Sequence, residues 1–154
     1  MPVYAADFVH TLSTTASWGS FGASSGTQAR RLKLLFAMGG SQGTPADAAV
    51  QLTAQRYTAA GTSTAVTPTP LDMADPAMLG VAGEVHTVEP TYTATLIVLN
   101  FSYHIREGFV YYAPPDPESQ ITVPATNAAG IGFQTDTISA GGTLASTMTV
   151  HLKE

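Results

Sequence analysis

Apolar and polar positions alternate with a period of two over much of this chain, the spacing of half-buried β-strands. From Arg31 to Met38, Leu32, Leu34, Phe36 and Met38 alternate with Arg31, Lys33, Leu35 and Ala37. Val3 to Leu12 sets Tyr4, Ala6, Phe8, His10 and Leu12 against Val3, Ala5, Asp7, Val9 and Thr11, with less cleanly separated faces. From about Ala49, Val50, Leu52, Ala54 and Arg56 alternate with Gln51, Thr53, Gln55 and Tyr57. That favours a strand, although the Ala-rich start also suits a helix. Tyr92 to Ile105 is the longest regular stretch, and its first half is apolar on both sides. Such a strand is expected in the middle of a packed sheet. Shorter strands are expected at Val85 to Val88, Phe109 to Tyr112, Gln120 to Val123, Ala128 to Thr135 and Thr143 to Leu152.

Gly, Pro and Ser mark the breaks between these runs. Ser13 to Gln28, small and Gly/Ser-rich around Trp18 and Phe21, reads as a long loop. Ala60-Gly61 reads as a turn, after which Pro68 and Pro70 confine a short Thr-rich segment to a sheet edge. Asp72 to Gly83 reads as an irregular excursion, and Gly141-Gly142 as the turn before the last strand. Arg106-Glu107-Gly108 joins two strands into a hairpin crowded with Tyr103, Phe109, Tyr111 and Tyr112. Eight to ten strands, with no fixed-period repeat and no dividing linker, predict one all-β domain over 1–154. An antiparallel β-sandwich of the jelly-roll kind is the first expectation, ahead of an immunoglobulin-like sandwich and a closed barrel.

The chain's 154 residues are enough for a core of their own. Only 11% of residues are charged, against about 25% in ordinary soluble domains. With 44% apolar residues the chain is not of the disordered kind. Its polar surface must come mainly from 22 Thr and 11 Ser. Interface cores are likewise poor in charge, so this composition suits a chain that works packed against others. Six Lys and Arg stand against eleven Asp and Glu, and only Arg30, Arg31 and Lys33 cluster. No nucleic-acid partner is expected from that balance. No apolar run reaches the length of a membrane span, and the Met1-Pro2-Val3-Tyr4 start has no leader-like pattern, so neither membrane nor secretory leader is expected. Cysteine is absent, which removes disulfides and thiolate chemistry.

No catalytic, cofactor-binding or metal-binding residue stands out. His10, His86, His104 and His151 never form the His-x-His pair that aims two ligands at one ion from a strand, and His104 near Glu107 reads as a surface ion pair. Gly19-Ser20-Phe21-Gly22 and Ser24-Ser25-Gly26 do not match the Gly-x-Ser-x-Gly elbow of a serine nucleophile. The acids in Asp72-Met73-Ala74-Asp75-Pro76 and Asp116-Pro117-Glu118 have the sequence setting of turns. Gly130-Ile131-Gly132 is too short for a phosphate loop. Tyr103, Tyr111 and Tyr112 could stack on a sugar, although core and interface are commoner uses of aromatic area.

Five segments carry a resemblance: Met1-Pro2-Val3-Tyr4, Arg30 to Leu35, Thr64 to Asp72, Glu107 to Pro115 and Val150 to Glu154. Together they resemble small structural proteins of tailed bacteriophages, in particular capsid decoration, or cement, proteins. The resemblance implies a jelly-roll-like sandwich without enzymatic activity. It further implies a homotrimer on the outer surface of the virion head, with the major capsid protein shell as partner. A carbohydrate- or receptor-binding module and a head-tail connector or tail component are the alternative readings.

Overall fold

The computed structural model describes residues 1–12, 16–23, 29–42, 47–126, 128–138 and 144–154. Its strands are β1 (Val3–Leu12), β2 (Ser17–Gly22), β3 (Leu32–Ser41), β4 (Ala49–Ala59), β5 (Thr62–Val66), β6 (Thr69–Pro70), β7 (Val81–Val88), β8 (Thr91–His104), β9 (Phe109–Tyr112), β10 (Thr122–Val123), β11 (Gly130–Ile138) and β12 (Leu144–Lys153). Twelve strands exceed the expected eight to ten because β6 and β10 are two-residue pieces. One sheet runs β10-β3-β12-β1-β6, with β9 also on β3; the other runs β5-β7-β2-β11-β4-β8. Every pairing is antiparallel.

Setting aside β5, β6, β7 and β10 leaves two four-stranded sheets, β1-β12-β3-β9 and β2-β11-β4-β8. Numbered in chain order these eight strands run 1-8-3-6 and 2-7-4-5, the double Greek-key order of a jelly roll. Between the sheets lie Phe8, Leu32, Leu34, Met148, Val150 and Leu152 on one side and Trp18, Phe21, Leu52, Ile131 and Phe133 on the other, all at most 1% exposed. At about 1.5–3 kcal/mol for each fully buried large apolar side chain, this one cluster dominates the stability of the sandwich.

Ser17–Gly22 corrects the expected loop: it is a strand inside the second sheet, buried at every position. The remaining parts of that stretch, 13–15 and 24–28, and the Gly141-Gly142 turn lie outside the described residues. Small residues are required here because bulky ones cover the strand from both sides. A Cβ at Gly19 would collide with the Phe8 ring across the sandwich. On the opposite face the Tyr57 ring lies over Gly22 and Gly130, and the Tyr92 ring over Gly132. The glycines that suggest a loop in sequence are therefore seats for aromatic rings.

The alternation of Arg31 to Met38 is interrupted. Register shifts between His151 and Leu152 so that Leu34 pairs with Leu152 but Phe36 with His151, leaving Leu35 as an extra residue. One inserted residue reverses the faces beyond it. Leu32 and Leu34 point into the core, then Ala37 does, while Phe36 and Met38 turn outward.

The longest strand is β8, as expected, but it is not central. It ends its sheet, paired on one side to β4, and leaves Leu96 45% and Ile97 44% exposed. Nor does the turn after it make a hairpin: β8 pairs with β4 and β9 with β3 in the facing sheet. Gly108, at φ +69, makes this crossover against the Gly39 carbonyl.

In β7, three residues, Val85 to Thr87, stand opposite Ser63 between the pairs Thr64↔Glu84 and Thr62↔Val88, and Val85 sits at φ 47. A β-branched residue in that region is strained. The bulge lets the Glu84 carboxylate cross to the other sheet, where it accepts a hydrogen bond from Val9 N at 2.5 Å. Val85→Asn, which tolerates this backbone, is expected to stabilise the fold by about 1 kcal/mol, read as a higher urea midpoint with an unchanged slope.

Candidate functional site

The bulge at Leu35 builds the most distinctive surface of the molecule, the outer face of β9, β3, β12 and β1. Cross-strand registers arrange it in rows: Tyr112, Phe36, His151 and Ala5; then Val110, Met38, Thr149 and Asp7; then Gly40, Thr147 and Val9. Phe36 stacks between Tyr112 and His151, with ring centroids 5.1 and 4.9 Å away. Tyr112 is 73% exposed, Val110 59%, Val9 50% and Met38 47%. Asp7, the one carboxylate in these rows, accepts a hydrogen bond from Thr149 Oγ1 at 2.5 Å. These three rows are thus aromatic and aliphatic at one side, carry Thr147 and Thr149 in the middle, and hold a single carboxylate, while the next row of the same face, Lys33, Lys153 and Val3, is basic.

The tyrosines singled out in the sequence do not form one sugar-binding platform. Tyr103 is buried in an aromatic cluster with Phe101 and Phe109, and burial drives its hydroxyl well above the usual phenol range. Tyr111 is half-buried, and only Tyr112 stands clear.

Histidine chemistry is equally dispersed. His104 Nε2 pairs with Asp47 Oδ1 at 2.6 Å, so its partner is Asp47 and not Glu107. Among the described residues no three His, Asp or Glu converge as metal ligands. Asp72 accepts from Ala74 N at 2.9 Å, while Asp116 accepts from Glu118 N and from Ser119 Oγ. Those bonds, the Ser119 hydroxyl first, hold the Asp116 carboxyl below its ordinary range. These acids serve turns.

One constellation escaped sequence reasoning. The bulge in β7 brings His86 Nε2 to 3.0 Å from Ser20 Oγ, although 66 residues separate them. Desolvation is the main cause that lowers the His86 pKa, so the ring is a neutral base beside a hydroxyl. Two features separate it from a catalytic triad. Ser20 is only 4% exposed, and His86 Nδ1 is buried with no hydrogen-bond partner to orient the ring. Glu89, the nearby acid, accepts from Ser17 N instead. The pair locks the bulge of β7 onto β2.

A pH dependence follows. Below the ordinary 6.5 the unfolded chain protonates His86 while the folded chain resists, so the unfolded state binds more protons. Stability is expected to fall as pH drops from about 6.5 towards the depressed folded value, and His86→Gln to flatten that slope in urea melts.

No family model, curated protein or solved structure matches this chain.

Proposed function

We propose that this chain is a non-enzymatic virion protein of a tailed phage, which decorates and stabilises the outer head surface as a homotrimer bound to the major capsid shell. The observation that carries the reading is the charge-poor patch of three rows on the outer face of β9-β3-β12-β1, with four large side chains about half exposed or more. Exposed apolar groups gathered on one face mark an interaction surface. The edge strand β8 adds apolar area, since Leu96 and Ile97 are each nearly half exposed.

Size favours repeated weak contacts. Four strands about 4.8 Å apart, with three rows about 7 Å apart, give a patch of roughly 14 by 14 Å before side-chain margins. A stable interface needs about 800 Å² from each partner. One such patch is too small alone, whereas three on a trimer bind as a unit, with avidity about 10² to 10⁴ above a single contact. A clamp that binds the assembled shell and not its separate subunits stabilises assembly by mass action.

Fluorescent labelling of intact particles tests the reading. Many copies per head are expected, whereas one ring per particle, at the neck, would assign the protein to the connector. A glycan array separates the sugar-binding alternative, for which Tyr112 is the one exposed ring of the three.

A further inference from the structure

Half of the chain's six cations converge on one concavity. Arg31, Lys33 and Arg56 line a cleft of about 550 Å³ with Pro117, Glu118 and Thr122. In a protein of net charge −5 this is a local reversal of sign. Two of the cations are fixed by carbonyls: Arg56 Nη1 donates to Thr122 O at 2.9 Å, and Lys33 Nζ to Pro117 O at 3.0 Å. The one ion pair among the described residues is His104 with Asp47, so none of the three has a carboxylate within ion-pair distance there. Positioned cations with spare donors are a ready receptor for carboxylates.

The same chain displays such carboxylates elsewhere. Between β6 and β7, Asp72 and Asp75 flank Met73, which is 98% exposed, and Leu71 beside them is 54% exposed. The loop is pre-shaped, since Asp72 accepts from Ala74 N through its side chain and from Asp75 N through its carbonyl. Little ordering cost then attends its binding. The loop leaves β6 at one border of the sheet and the cleft lies beside β10 at the other. The end of the loop returns towards β3, where Pro76 lines a pocket with Arg30, yet among the described residues no ion pair joins the loop carboxylates to the cleft cations of the same molecule.

We infer that the Arg31-Lys33-Arg56 cleft receives the acidic 71–76 loop of a second copy of this chain, in a head-to-tail contact. A contact between two different patches is heterologous, and it closes into a ring of three or more copies when the rotation permits. This deepens the homotrimer part of the proposed function and rests on it.

Charge exchange tests the contact on the full chain, with light scattering for mass and circular dichroism for folding. Wild-type protein is expected to form a closed oligomer at micromolar concentration, weakened roughly tenfold or more between about 50 mM and about 500 mM salt. Asp72→Lys with Asp75→Lys, and separately Arg31→Glu with Lys33→Glu, should each give folded monomers. All four changes in one chain should restore the oligomer, because a basic loop then meets an acidic cleft. Oligomers that survive either pair of changes, or a folded fourfold variant that stays monomeric, overturn the contact. If Arg31→Glu leaves the oligomer intact and weakens binding to heads, the cleft belongs to an acidic segment of the shell and the inference is likewise wrong, while the decoration reading stands. Wild-type protein that neither assembles nor binds heads removes both.

Discussion

Trp18→Ala is expected to cost about 3–5 kcal/mol, the range for removing a large buried aromatic side chain. Trp18 is fully buried and meets Phe109 edge-on at 5.8 Å between ring centroids. It therefore joins β2 of one sheet to β9 of the other across the core, where Phe109 also packs on Phe101 and Tyr103. The surrounding strands cannot collapse into the void, since Gly19 already holds the Phe8 ring against the backbone next to it. A domain of this length has roughly 8–23 kcal/mol in total, so the loss is a large share. Trp18→Phe should recover much of it. The indole Nε1 is buried with no hydrogen-bond partner, and removing an unsatisfied donor offsets part of the lost contact area. Urea melts of the two variants decide: equal destabilisation by Ala and Phe would contradict this account of the core.

Met38→Glu combined with Tyr112→Glu is expected to leave the fold intact and abolish attachment to heads. Both side chains are largely outside the core, at 47% and 73% exposure, so the melting curve should move little. Two carboxylates placed on this apolar patch must be desolvated without partners when it docks. If each contact weakens roughly tenfold, three contacts made together weaken by up to about a thousandfold. Cosedimentation with purified heads reads this loss directly. Undiminished binding by the double variant would move the docking surface off this face.

The sandwich was legible because its pattern is regular where the core is deepest. Ile131, Phe133 and Thr135 share a buried face, as do Ser146, Met148, Val150 and Leu152, and both groups follow the two-residue period. Illegible parts have physical causes. Gly19 and Gly22 in β2 look like loop residues, because sequence does not show the Phe8 and Tyr57 rings that need their space. The Leu35 bulge exchanged the two faces of β3, and its one trace in the sequence is the Leu34-Leu35 doublet that breaks strict alternation. Apolar residues on both sides of β8 suggested a central strand; periodicity reports that a side chain is covered, not which molecule covers it. Ser20 and His86 meet only because Val85 adopts a left-handed backbone in the middle of β7. The charge-poor patch on the outer face of the first sheet was half legible, since the low charged fraction implies such surface without saying where it lies.

The decisive measurement is electron microscopy of phage heads with this protein removed and then with it added back. The expected result is density absent from the stripped heads that returns on addition as three-lobed features repeated over the outer surface. They should touch the shell through the β9-β3-β12-β1 face. Heads whose outer surface is the same with and without the protein would contradict the account.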